Sequence, residues 1–192
     1  TAGYQTACIG KWDVSNRKAI IERMPNAKGF DYYFGTLGAN DRGRVAFYEN
    51  NEPAGNTQEM GSLTRLYTEK AIDFLKNKRD KNRPFVLYLA HTMMHVIIDA
   101  SPRFKGRSNG SLYGDVVEEF DYETGRLLKV VDELGLRENT LVIYLTDNGP
   151  WNQPAFCKSS RENRGHPEGT IFWGDSGPLR NGKGSCYEGG NR

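Results

Sequence analysis

Two apolar runs constrain this fold more than anything else in the chain: Phe-Val-Leu-Tyr-Leu-Ala at residues 85–90 and Thr-Leu-Val-Ile-Tyr-Leu-Thr at residues 140–146. Each is short, β-branched or aromatic, and bounded by Pro or polar residues, so each reads as a strand. With no polar alternation, both are expected to be buried on both faces. Between them, residues 111–134 carry a helical period, with Tyr113, Val116, Val117, Phe120, Leu127, Leu128, Val131 and Leu134 apolar and Gly135 placed to end the helix. Strand, helix, strand in that order is a βαβ unit, which implies parallel neighbours and a right-handed crossover. A further strand is expected at residues 5–9. A second helix is expected at 62–78, with Leu63, Leu66, Tyr67, Ala71, Phe74 and Leu75 on its apolar face and Ser62 as its N-cap. The fold class is therefore α/β, with a mixed, mostly parallel sheet flanked by helices.

Composition narrows the function classes. A chain of 192 residues, 37% hydrophobic and 26% charged, suits one domain or part of a larger one and argues against disorder. With 26 basic against 24 acidic residues, the net charge of +2 is too balanced to point to a nucleic-acid or membrane-surface partner. No apolar run approaches the roughly 20 residues of a membrane span, and the first residues carry no signal-peptide pattern. Cys8, Cys157 and Cys186 form no CxxC pair and no zinc spacing, so neither a disulfide framework nor a zinc site is expected. The chain opens without Met and stops in a Gly-rich run, as an internal stretch of a longer protein would.

In open parallel sheets, ligands bind beyond the carboxyl ends of the strands. Gly10-Lys11-Trp12-Asp13 follows the first expected strand, His91-Thr-Met-Met-His95 the second, and Asp147-Asn148-Gly149 the third. Lys11 and His95 are candidate anion donors, against plain surface or packing roles. Asp147 and Asn148 offer the hard oxygen ligands that calcium or magnesium prefers, against a simple Asp-Asn-Gly-Pro turn. His91 and His95 are spaced i, i+4 but sit in loop-like sequence, so an HExxH zinc site is not supported. Gly177-Pro-Leu-Arg-Asn-Gly182-Lys183 is nearly a P-loop, but Gly184 stands where Ser or Thr should hold magnesium. Gly106-Arg-Ser108-Asn-Gly110 fits GxSxG but is separated from the preceding strand by loop, where a nucleophile elbow cannot be. The long polar run at 149–184 has no periodicity, which in a compact domain marks a functional loop.

Taken in order, Gly10-Lys11-Trp12, Gly29-Phe-Asp-Tyr-Tyr-Phe-Gly35, the stretch from Pro84 to Met93, Leu112-Tyr-Gly-Asp-Val-Val-Glu-Glu119, Asn139-Thr-Leu-Val-Ile143 through Asp147-Asn-Gly149, and Gly177 through Gly184 to Glu188-Gly-Gly190 resemble the sulfatase (arylsulfatase) family. The resemblance implies an alkaline-phosphatase-like fold, of which residues 1–192 would form part of one catalytic domain. It also implies sulfate-ester hydrolysis with bound Ca²⁺ and a formylglycine nucleophile made from Cys or Ser. Lys11, Lys183 and His95 match catalytic residues that hold the sulfate, Asp13 and His91 fall on the substrate-binding side, and Asp147 and Asn148 match metal ligands. The implied partner is a sulfated small molecule or sulfated carbohydrate, and the implied compartment is periplasmic, secreted or lysosomal.

The departures from the family pattern are specific. Asp13 stands where the family usually has a histidine, and a carboxylate there would repel sulfate unless a metal or a cation compensated it. Met94 and Ile97 replace prolines common around the histidine motif. The family's nucleophile motif lies before the lysine that Lys11 matches, so this chain alone is expected to be inactive. Cys157-Lys-Ser-Ser-Arg161 approximates that motif, but without its proline and in the wrong place. A phosphatase or phosphodiesterase of the same superfamily and a noncatalytic anion-binding module are the competing readings.

Overall fold

β1 (Gln5–Lys11) organises the sheet, because among the described residues it alone is hydrogen-bonded in parallel on both sides, to β2 (Tyr32–Thr36) and to β5 (Phe85–Ala90). A strand so placed must be apolar on both faces, and Ala7, Cys8 and Ile9 are fully buried. The structure, a computed structural model, describes residues 2–14, 16–151 and 174–191. These fall into two compact units, Thr1–Glu138 and Asn139–Arg192.

In the first unit the strand order is β4-β3-β2-β1-β5. β3 (Val45–Glu49) and β4 (Glu52–Thr57) form an antiparallel hairpin on the far side of β2, turning where Asn50 takes a left-handed φ of 53°. β1, β2, β4 and β5 thus run one way and β3 opposes them, the mixed and mostly parallel sheet expected. The hairpin was not expected, since β4 reads Glu-Pro-Ala-Gly-Asn-Thr and is exposed along its length. Polar, Pro-containing strands survive at sheet edges, where one side needs no partner.

Helix α1 (Leu63–Asp73) runs on through a wider turn at Phe74–Lys78, and packs against β1, β5 and α2 (Ser111–Glu133). Leu63, Tyr67, Ala71, Phe74 and Leu75 are buried on it, the apolar stripe read from the sequence. Ser62 does not cap the helix. It has helical backbone angles, and its hydroxyl donates to Glu59 O at 2.7 Å instead. α2 ends as expected: Gly135 takes φ 68°, and the N–H groups of Gly135 and Leu136 close back onto Asp132 O and Val131 O.

Two further expectations are corrected. β5 is not buried on both faces: Val86 and Tyr88 are 46% and 51% exposed, because among the described residues β5 pairs only with β1 and is an edge strand. Residues 140–146 form no strand, and Leu141 and Leu145 are more than 80% exposed, so no βαβ unit closes. An apolar run records a demand for burial, whereas a strand also needs a neighbour's backbone to bond to, and none of the described residues supplies one.

The second unit is held by main-chain bonds between its two ends. Gly149 N–H donates to Gly190 O at 3.1 Å, Lys183 N–H to Pro150 O at 2.8 Å, and Gly189 N–H to Arg180 O at 3.0 Å. A side chain at Gly189 or Gly190 would collide with the backbone of Asn181 or Ser185, so the Glu188-Gly-Gly190 motif exists to let α3 (Glu188–Asn191) close onto the Lys183 loop. Cys157 and most of the 149–184 run lie outside the described residues.

Candidate functional site

The carboxyl rim of β1 and β5 is built on a close approach of backbones. Gly10 pairs with Gly35 on β2 and with Ala90 on β5, and takes φ 106°. A Cβ on Gly10 would collide with Ala90 O, and one on Gly35 with Gly10 O. Only glycines let the three strands lie this near, and the result is that Lys11 and His91 leave the sheet side by side. Trp12 then fixes the exit path: its backbone N–H donates to Thr36 O at 2.7 Å, its indole N–H to Arg23 O at 2.9 Å, and its ring meets Phe30 edge-on at 5.8 Å.

Asp13 is not a bare charge. Arg17 forks it, Nε to Oδ1 at 2.9 Å and Nη2 to Oδ2 at 2.8 Å, while Nη1 reaches Asp41 at 3.3 Å. Lys11 Nζ lies 4.0 Å from Asp13 Oδ2. The hydrogen bond to Asp13 above all, with Asp41 behind it, holds the guanidinium above its already high pKa. The repulsion that Asp13 would exert on an anion is thereby offset by Arg17. Arg17 and Asp41 were missed in the sequence, although the Asp13-x-x-x-Arg17 spacing was there to be read.

The two histidines have different environments. His95 is half-buried in a turn closed by its own N–H onto Thr92 O at 2.9 Å, and its Nδ1 lies 2.6 Å from Val96 O. A carbonyl can only accept, so the proton of the neutral ring is assigned to Nδ1, and a second proton would enter at Nε2. Asn40, fully buried, donates from Nδ2 to both His95 O at 2.9 Å and Ile97 O at 2.7 Å. His91 is packed edge-on to Phe120 at 4.9 Å and near Tyr67 at 6.1 Å, and burial pushes its pKa down to about 4. It is neutral near pH 7 and offers an anion no formal charge.

On the second unit, Asp147 is exposed and Asn148 half-buried, in a turn where the Thr146 hydroxyl donates to Asn148 O at 2.8 Å. Lys183 is stitched to Pro150, two residues beyond Asn148, and its Nζ lies 5.5 Å from the Trp151 ring centre. One carboxylate and one amide oxygen are donors of the type calcium takes. Among the described residues no group of three or more His, Cys, Asp or Glu converges as a metal site, so these two are at most part of a shell.

Ser108 lies in the loop between β5 and α2, where its Oγ accepts Gly110 N–H at 3.1 Å. That is no nucleophile elbow. Cys8 is sealed in β1, its thiol pushed up to about 12 by burial, and is chemically inert.

The family model described as Sulfatase matches residues 1–192. The chain belongs to the sulfatase family. N-acetylgalactosamine-6-sulfatase of Canis lupus familiaris is 32% identical over the whole chain, and the human protein of that name 31%. Steryl-sulfatase of Mus musculus is 40% identical over 70% of the chain. The chain spans 36% of the length of the N-acetylgalactosamine-6-sulfatases and 20% of the steryl-sulfatase. Among solved structures, a Bacteroides thetaiotaomicron protein described for metabolism of multiple glycosaminoglycans superposes with a TM-score of 0.75 at 25% identity, covering 100% of this chain and 51% of its own. Ps i-CgsB in complex with k-i-k-neocarrahexaose gives 0.73 at 24% identity over 99% of this chain and 43% of its own, which supports the α/β fold of the family. No helix among the described residues is long and apolar enough to cross a membrane.

Proposed function

We propose that the protein carrying this sulfatase segment hydrolyses sulfate esters, with Lys11 and His95 holding the sulfate group. The observation that carries the reading is the paired rim: the register Gly10↔Ala90 sets the Lys11 and His91–His95 exits beside each other, and Arg17 takes up the charge of Asp13. Lys11 then presents its ammonium at that rim, and a protonated His95 would donate from Nε2 toward a sulfate oxygen. Asp13, oriented by Arg17, lies on the substrate side and suits a hydroxyl of a sulfated carbohydrate, the substrate class favoured by the N-acetylgalactosamine-6-sulfatase relatives and by the glycosaminoglycan context of a structural relative. His91, neutral and packed, supports the floor of the site through Phe120.

Calcium and a formylglycine nucleophile are the groups the family implies. Asp147 and Asn148 are the residues here that would hold calcium, which when bound supplies Lewis-acid polarisation of a sulfate oxygen. A periplasmic, secreted or lysosomal location goes with this reading.

The test is turnover of an aryl sulfate and of the matching aryl phosphate by the full-length natural protein, with calcium and after chelation. Sulfate-selective turnover that falls on chelation and in Lys11→Ala and His95→Ala is expected. Preference for the phosphate ester would move the protein to phosphatase chemistry, and saturable sulfate binding without turnover would make it a binding module.

A further inference from the structure

The geometry points to Asn40 as a positioning residue for His95, an inference that rests on the sulfate-binding role proposed above. Asn40 belongs to the loop of residues 37–44 that joins β2 to β3, distant in sequence from both Lys11 and His95. It is fully buried, although a free Asn prefers water, and its amide nitrogen is spent on two carbonyls, His95 O and Ile97 O. Those two carbonyls flank Val96, whose own carbonyl holds His95 Nδ1. The peptide path that sets the direction of the imidazole is therefore fastened at three successive carbonyl groups, two of them by one side chain. Among the described residues Asn40 Oδ1 is buried without a hydrogen-bond partner, so the residue is kept for its two donors.

The same loop also reaches the other anion-binding arm. Asp41, the next residue, pairs with Arg17, and Gly38 has no side chain where the Arg17 stem lies, a Cβ there meeting Cδ at 3.3 Å. One loop thus braces both the Asp13–Arg17 corner beside Lys11 and the His95 turn. It does so at a histidine segment where this sequence has Met94 and Ile97, residues that leave the backbone freer than proline would. Asn40 touches no substrate and acts through His95.

A double-mutant cycle in the full-length protein tests this, reading kcat/KM for an aryl sulfate and, by calorimetry, Kd for inorganic sulfate. Asn40→Ala alone should weaken both, by on the order of 100-fold at most in kcat/KM, the scale of a misplaced catalytic group. On a His95→Ala background the Asn40→Ala loss should vanish, and on a Lys11→Ala background it should persist in full. Equal losses on both backgrounds would mean a general structural role and would overturn the inference, as would no loss from Asn40→Ala alone. Unchanged Kd and kcat/KM in His95→Ala would refute the role of His95 itself, and Asn40 would then have nothing to position. If Asn40→Ala does not fold, Asn40→Ser, which keeps a hydroxyl donor, carries the same cycle with the same outcomes.

Discussion

His91 should make this chain less stable as the pH falls from neutral. Its imidazole, wedged against Phe120 and Tyr67, stays neutral down to about pH 4, whereas in the unfolded chain it takes up a proton near 6.5. Between those values the unfolded state binds more protons, so stability is complete above 6.5 and is lost as the pH drops toward 4. Each pH unit carries about 1.4 kcal/mol, so the window carries roughly 3 kcal/mol, a large share of the stability of a small domain. Many other groups titrate in that range, and a variant separates them. Urea unfolding of wild type and His91→Gln should be compared at about pH 7.5 and about pH 4.5. The variant loses some packing at both, but wild type should lose roughly 3 kcal/mol more than the variant on acidification. A difference between the two that stays constant across the range would show that His91 charges freely and that the burial argument is wrong.

Other outcomes follow from the same contacts. Gly35→Ala should destabilise by more than about 4 kcal/mol or prevent soluble expression, because its Cβ would collide with Gly10 O in the central ladder. Asp115→Ala should cost about 3 kcal/mol or more in urea unfolding, because the buried carboxylate accepts the N–H groups of Gly106, Arg107 and Ser108 at 2.7 to 3.0 Å. Burial would raise that carboxyl's pKa, but the bonds from Ser108, Gly106 and Arg107 outweigh it and hold it down, so this stability is lost only as the pH falls below the ordinary carboxylate range. Arg17→Ala should change stability by about 1 kcal/mol or less, since the pair is partly exposed and solvent-screened, yet weaken sulfate binding measured by calorimetry by leaving Asp13 uncompensated. Unchanged sulfate affinity in that variant would detach the Asp13 corner from the site.

What the sequence settled by itself was whatever depends on neighbours along the chain. The helical stripe of α1 and α2, the glycine stop at Gly135 and the core of β1 follow from period and backbone freedom, and the ordered motifs from Gly10-Lys11 to Glu188-Gly-Gly190 carried the sulfatase family. Where the chain must meet something distant, the sequence was silent or misleading. It left β5 looking buried when it is an edge, and residues 140–146 looking like a strand when none of the described residues pairs with them, because apolar pattern encodes a need for burial and not the partner that meets it. It presented Asp13 as a charge against sulfate, whereas the fold brings Arg17 onto both its oxygens. It gave no sign of Asn40, 55 residues from His95, because a polar side chain acquires a direction only when tertiary packing removes water and leaves it particular carbonyls to bond.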